Sequence, residues 1–134
     1  MSVSVFDHPW LSALLGDAEI AQHFTTDAEL QAMLAFEVAL AKTEAEAGVI
    51  PAAAAYAISQ AARSFKPDLA ALAQGTARDG IVVPEWVNQL RRAVGAPHDK
   101  HLHLGATSQD VLDTSLVLRL KPILEILDAR IGML

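Results

Sequence analysis

No cysteine occurs among the 134 residues, which excludes disulfides, thiolate zinc sites and a cysteine nucleophile. Aromatic residues make up only 5% against 52% apolar. With alanine recurring throughout, that mixture suits closely packed helices better than a sheet. No apolar run approaches the roughly 18 to 20 residues of a membrane span, and Met1 to Asp7 lack the basic start and apolar run of a signal peptide. A soluble cytoplasmic protein is therefore expected. Positive charge is also short, with 10 Lys and Arg against 16 Asp and Glu and a net charge of −6. That balance argues against nucleic acid as the main partner, because phosphate contacts need a basic surface. The length suits one domain with its own core, and the predicted class is all-α.

What is present is helical periodicity. Residues 1–16 hold Pro9 and a short apolar patch, Trp10, Leu11, Leu14 and Leu15, expected to make one or two turns packed on a neighbour; a second short helix is expected over 17–24. The spacing then predicts a long helix from Thr26 to Ala47. Thr26-Asp27-Ala28-Glu29 has the capping-box interval, Leu30, Met33, Leu34, Val38, Leu40 and Ala41 recur at helical positions, and Gly48 follows as a stop. Glu37, Glu44 and Glu46 read as a solvated outer face rather than as general bases. Alanine-rich helices are predicted over 52–64 and 67–78, with Pro67 at the first position of the second. A helix from Pro84 to Val94 follows, in which Trp86 and Leu90 are core candidates. From Ser108 a final helix should run to the end with Val111, Leu112, Leu116, Leu120, Ile123 and Leu127 as its apolar stripe. Pro122 is expected to kink or end it locally.

Polar chemistry concentrates in one stretch, His101-Leu102-His103-Leu104-Gly105-Ala106-Thr107-Ser108-Gln109-Asp110. Before Arg63 the only Lys or Arg is Lys42, whereas Arg91, Arg92, His98, Lys100, His101 and His103 crowd in just ahead of Thr107. Thr107 or Ser108 is a plausible N-cap, Asp110 falls in the first turn where negative charge is favoured, and Gly105 frees the backbone before it. The unpaired N–H groups of such a helix start bind carboxylate or phosphate; a capped helix with no ligand satisfies the same residues. The spacing His98, His101, His103 invites a metal reading, since alternate residues of an extended segment point the same way. No carboxylate pattern supports it.

His103-Leu104-Gly105-Ala106-Thr107-Ser108-Gln109-Asp110, with Asp113-Thr114, resembles the first signature region of the fumarase/aspartase superfamily. The form is the H-x-G-x-T-S-x-D of its adenylosuccinate lyase and 3-carboxy-cis,cis-muconate cycloisomerase branches. Leu30 to Ala41, then Glu44-Ala45 and Ala47 to Pro51, are similar to the opening helix and turn of the cycloisomerase branch. The resemblance covers most of the chain, from about Phe24 to Leu120.

The resemblance implies a helical N-terminal domain over 1–106 and, over 107–134, the start of the first long helix of a central bundle. Family members are considerably longer, so these residues are expected to be an N-terminal portion, inactive alone. It further implies a homotetramer whose active sites join three signature regions from different subunits. No metal and no cofactor is expected, and the substrate would be a small polycarboxylate. The chemistry makes or breaks a C–O or C–N bond beside a carboxylate-stabilised carbanion. In the cycloisomerase branch this converts 3-carboxy-cis,cis-muconate to 4-carboxymuconolactone during aromatic degradation. His103 is then the expected catalytic residue, against its reading as a structural histidine. Thr107, Ser108 and Gln109 are expected to bind substrate carboxylate, with Asp110, Arg92 and Lys100 in a layer behind them. Arg91, Arg92, Lys100 and His101 would draw in a tricarboxylate. The loop over 79–84 approaches substrate in relatives, a role carried over only weakly to this apolar version. An adenylosuccinate lyase-like enzyme and a non-catalytic helical interaction module are the competing readings.

Overall fold

A computed structural model describes residues 4–134, and among them every regular element is helical. The order is α1 (Ser12–Leu15), α2 (Ala18–Ala21) with a 3₁₀ turn over Gln22–Phe24, α3 (Thr26–Glu46), α4 (Ala52–Ser64), α5 (Leu69–Asp79), α6 (Val83–Val94), a second 3₁₀ turn over Asp99–His101, and α7 (Ser108–Ile131). None of the helices is long and apolar enough to cross a membrane.

α3 is the hub, with α4 and α7 packed along it. Its N-cap is Thr25, one residue earlier than the sequence spacing suggests, and the Thr25 hydroxyl accepts from Ala28 N at 3.2 Å. At its other end the chain reverses at Gly48, with φ 74. Val49 N donates to Glu44 O at 2.8 Å and Gly48 N to Ala45 O at 3.1 Å, which together satisfy the last carbonyls in a Schellman motif. Ile50 then turns into the core and Pro51 caps α4.

The core gathers Met33, Leu34 and Ala41 of α3, Ala54 and Ile58 of α4, Leu72 of α5, Val83, Trp86, Val87 and Leu90 of α6, Leu102 and Val111. Trp86 and Leu90 are wholly buried, as expected, and Phe65 meets the indole edge-on. Pro67 does not open α5; Asp68 caps it, accepting from Ala70 N and Ala71 N. The physical reason lies in α6, where buried Gln89 clasps the Asp68 backbone, accepting from its N–H at 2.8 Å and donating to its C=O at 3.3 Å.

Two expectations about the ends of the chain need correction, and the one at Pro122 loses one of its two alternatives. Pro122 does not end α7, which continues to Ile131. The missing hydrogen bond and ring clash cost about 3 kcal/mol in a free helix, but Ile123 is buried beside it and Arg130 is anchored by Asp17 and Glu19. Leu116 lies outside the buried stripe of α7, and Ser115 takes the inward position between Val111 and Ile123. α1 forms its turn, yet Trp10 and Leu14 stay 71% and 79% exposed rather than packed. Four helical residues are too few to present a continuous apolar stripe.

Candidate functional site

The start of α7 is built by local bonds. Thr107 is the N-cap with extended backbone, and it closes a reciprocal box with Asp110. Thr107 N donates to Asp110 Oδ2 at 2.7 Å, Thr107 Oγ1 donates to the same oxygen at 2.8 Å, and Asp110 N donates back to Thr107 Oγ1 at 3.4 Å. The backbone N–H and hydroxyl of Thr107 hold the Asp110 carboxyl below the usual carboxylate range, and the nearby His103 adds to this. Gln109 is similarly committed, its Nε2 donating to Asp113 Oδ1 at 2.5 Å.

These bonds sort the expected substrate-binding residues. The Thr107 hydroxyl proton and the Gln109 amide point at carboxylates within α7, so neither is an idle donor in this state. Ser108 differs. Its hydroxyl makes no hydrogen bond among the described residues, and its backbone N–H, like that of Gln109, belongs to the first turn that has no partner inside a helix. One hydroxyl and two amides at the positive end of a 24-residue helix therefore remain for an anion.

His103 is placed by the tertiary fold. Its backbone is left-handed, with φ 59, a conformation that costs a side-chain-bearing residue roughly 1–2 kcal/mol. Two neighbours hold it there. Leu102 is fully buried, and Arg91 Nη2 of α6 donates to Leu102 O at 3.2 Å. On the other side His103 Nδ1 lies 2.6 Å from Oε1 of Glu37 on α3.

Glu37 overturns its sequence reading. It is 1% exposed, not on a solvated face, and it lies in the same stripe as Met33 and Ala41, four residues before and after it. That interval is the signal that could have found it: a carboxylate in register with the apolar stripe of a helix is a buried one. Glu37 Oε2 and Glu44 Oε2 are both buried without a hydrogen-bond partner among the described residues. Burial, and then the like charge of Glu37, push the Glu44 carboxyl above its ordinary value, while His101 pulls the other way. Glu46 is exposed and pairs with Lys42 on the surface.

The expected basic layer is only partly assembled. Arg92 turns to the half-buried Glu85, seven residues back on α6, at 3.2 Å. Arg91, one step round the helix, is the arginine that reaches the motif. Lys100 is exposed, its backbone N–H turned to the Asp99 carboxylate. Among the described residues no group of three or more His, Asp or Glu is arranged to hold a metal ion.

Known proteins resemble the chain over most of its length. The family model described as lyase matches residues 17–134. The chain is 41% identical over 114 residues to the 3-carboxy-cis,cis-muconate cycloisomerase of Pseudomonas putida, covering 83% of this chain and 27% of that protein. It is 34% identical to the adenylosuccinate lyase of Pyrococcus horikoshii, covering 84% and 25%. The crystal structure of the 3-carboxy-cis,cis-muconate lactonizing enzyme from Pseudomonas putida superposes with a TM-score of 0.84 at 37% identity, over 93% of this chain and 29% of that one. The chain spans about a quarter of the length of the curated relatives it matches.

Proposed function

Since the chain belongs to the lyase family, whose model spans residues 17–134, we propose that it supplies the N-terminal part of a 3-carboxy-cis,cis-muconate cycloisomerase. The observation that carries this reading is the start of α7, where the uncommitted Ser108 hydroxyl and the Ser108 and Gln109 amides lie next to a histidine held in a left-handed backbone. The substrate comes from the similarity to cycloisomerases, which exceeds that to the adenylosuccinate lyase.

In this reaction a substrate carboxylate oxygen bonds to one alkene carbon as the adjacent carbon takes up a proton, closing a lactone. Negative charge gathers on the neighbouring carboxylate during the step, and fixed donors aimed at that charge lower the barrier most in a site closed to water. Ser108 and the α7 amides hold that carboxylate. Thr107 and Asp110 keep the helix start in shape, and Gln109 contributes its backbone N–H. His103 donates to the substrate or moves the proton, an imidazole being able to do either near neutrality. Arg92 and Lys100 form the outer basic rim. No metal or cofactor enters this scheme. Residues 107–134 begin a central bundle shared in a homotetramer, which would cover the exposed Leu116, Val117 and Leu124 of α7.

The test is a hybrid in which residues 1–134 replace the matching N-terminal part of the Pseudomonas putida cycloisomerase. Loss of muconate absorbance is followed, with adenylosuccinate as control. The expected result is lactonisation, lowered at least ~100-fold by His103→Gln and about 10-fold or more by Ser108→Ala. Cleavage of adenylosuccinate alone would transfer the reading to that lyase, whose likeness to the chain is the observation favouring it. Turnover indifferent to both substitutions would remove the site. The 134 residues alone are expected to turn over neither substrate.

A further inference from the structure

We propose that Glu37 is the positioning residue for His103, its buried carboxylate fixing the imidazole in the tautomer that carries the proton on Nδ1 and so presenting Nε2 as the reacting nitrogen. The consequence for the reaction rests on the functional reading above; the contact itself does not.

The geometry is specific. Nδ1 and Oε1 are 2.6 Å apart, well within hydrogen-bond distance, and a carboxylate only accepts, so a proton on Nδ1 is what makes the contact a hydrogen bond. The His103 side chain is 13% exposed, and Nε2 has no hydrogen bond among the described residues. Water ordinarily favours the opposite neutral tautomer of a histidine side chain, with the proton on Nε2. The contact reverses that preference and aims the free nitrogen outward.

Glu37 has no other evident employment. Its second oxygen is buried without a partner among the described residues, and its helical neighbours Met33 and Ala41 are packed in the core. A Leu or Met at this register would complete the stripe without desolvating a charge. Among the described residues the His103 contact is the one hydrogen bond this buried carboxylate makes. The backbone supports the same end, since Arg91 grips Leu102 O immediately before the left-handed residue. Asp110 on α7 interacts electrostatically with the imidazole, and Glu44 on α3 interacts with Glu37 and with His101 on the preceding turn.

Long-range 1H–15N correlation spectra of the histidine-labelled 134-residue chain, recorded where the imidazole is neutral, read the tautomer directly. His103 is expected to show a protonated Nδ1 and an unprotonated Nε2. Glu37→Gln, whose carbonyl oxygen still accepts, keeps that pattern at least in part, and Glu37→Leu reverts to the proton on Nε2. A wild-type spectrum with the proton on Nε2, or an unchanged spectrum in Glu37→Leu, overturns the proposal. If Glu37→Leu does not fold, the wild-type spectrum decides alone. In the hybrid enzyme, Glu37→Leu should lower kcat at least ~100-fold with KM little changed, and Glu37→Gln should recover most of the loss. A hybrid inactive on both substrates would defeat the functional reading while leaving the tautomer result standing. An active hybrid indifferent to Glu37→Leu would defeat the positioning role alone.

Discussion

The two halves of the H-x-G-x-T-S-x-D segment are secured by opposite means. Thr107 and Asp110 hold each other across three residues, through bonds that any isolated helix start could form. His103, only four residues earlier, depends on Glu37, 66 positions away, and on Arg91 of another helix. The helix-cap half is therefore a local motif, and the histidine half is a product of the packed fold. A segment that reads as one signature has two separate sources of order, and each can be disturbed without the other.

The largest effect should come from the long-range half. Leu102→Ala removes a fully buried side chain beside His103 and is expected to cost about 2–5 kcal/mol, read from urea midpoints. It should also scramble the His103 tautomer, and retention of the Nδ1 proton would show that the histidine needs less of the fold than proposed. Next comes Gly105→Ala. Its φ is 70 and an added Cβ meets nothing within 4 Å, so the expected loss of ~1–2 kcal/mol is conformational rather than steric. A much larger loss would mean that the link between the halves is itself strained.

Thr107→Ala should cost about 1 kcal/mol in thermal melts and leave the His103 spectrum intact, which is the sharpest separation of the two halves. The smallest effects are pH-dependent and of opposite sign. Asp110 has a folded pKa below its unfolded one. It therefore adds stability above the ordinary carboxylate value, and that stability is lost as pH falls through the folded pKa. Glu44 is raised, so it subtracts stability as pH climbs past the ordinary value. Asp110→Asn should lower the melting temperature at neutral pH and flatten its acid decline, and Glu44→Gln should raise it. Shifts of the same sign would break the contrast.

Much of the fold was legible because its signals are local. The bounds of α4 over 52–64, the Gly48 stop and the Thr107 cap follow from propensity, backbone freedom and capping chemistry, all of which act over a few residues. Pro67 at the start of α5 and an end of α7 at Pro122, one of the two outcomes expected there, failed for a common reason. Local rules assign proline an effect on a free helix, whereas Gln89 moved the start of α5 and the anchoring of Arg130 carried α7 through.

The sequence by itself determined an all-α chain, a capped helix beginning at Ser108 and a motif whose family resemblance the comparisons bear out. Only the tertiary structure decided that Arg91 rather than Arg92 reaches that motif, and that Glu37 lies beneath His103. Capping bonds close within one turn and are written in adjacent residues, but a buried carboxylate acquires its partner only when α3 and the loop before α7 are packed together, and no local rule encodes that meeting.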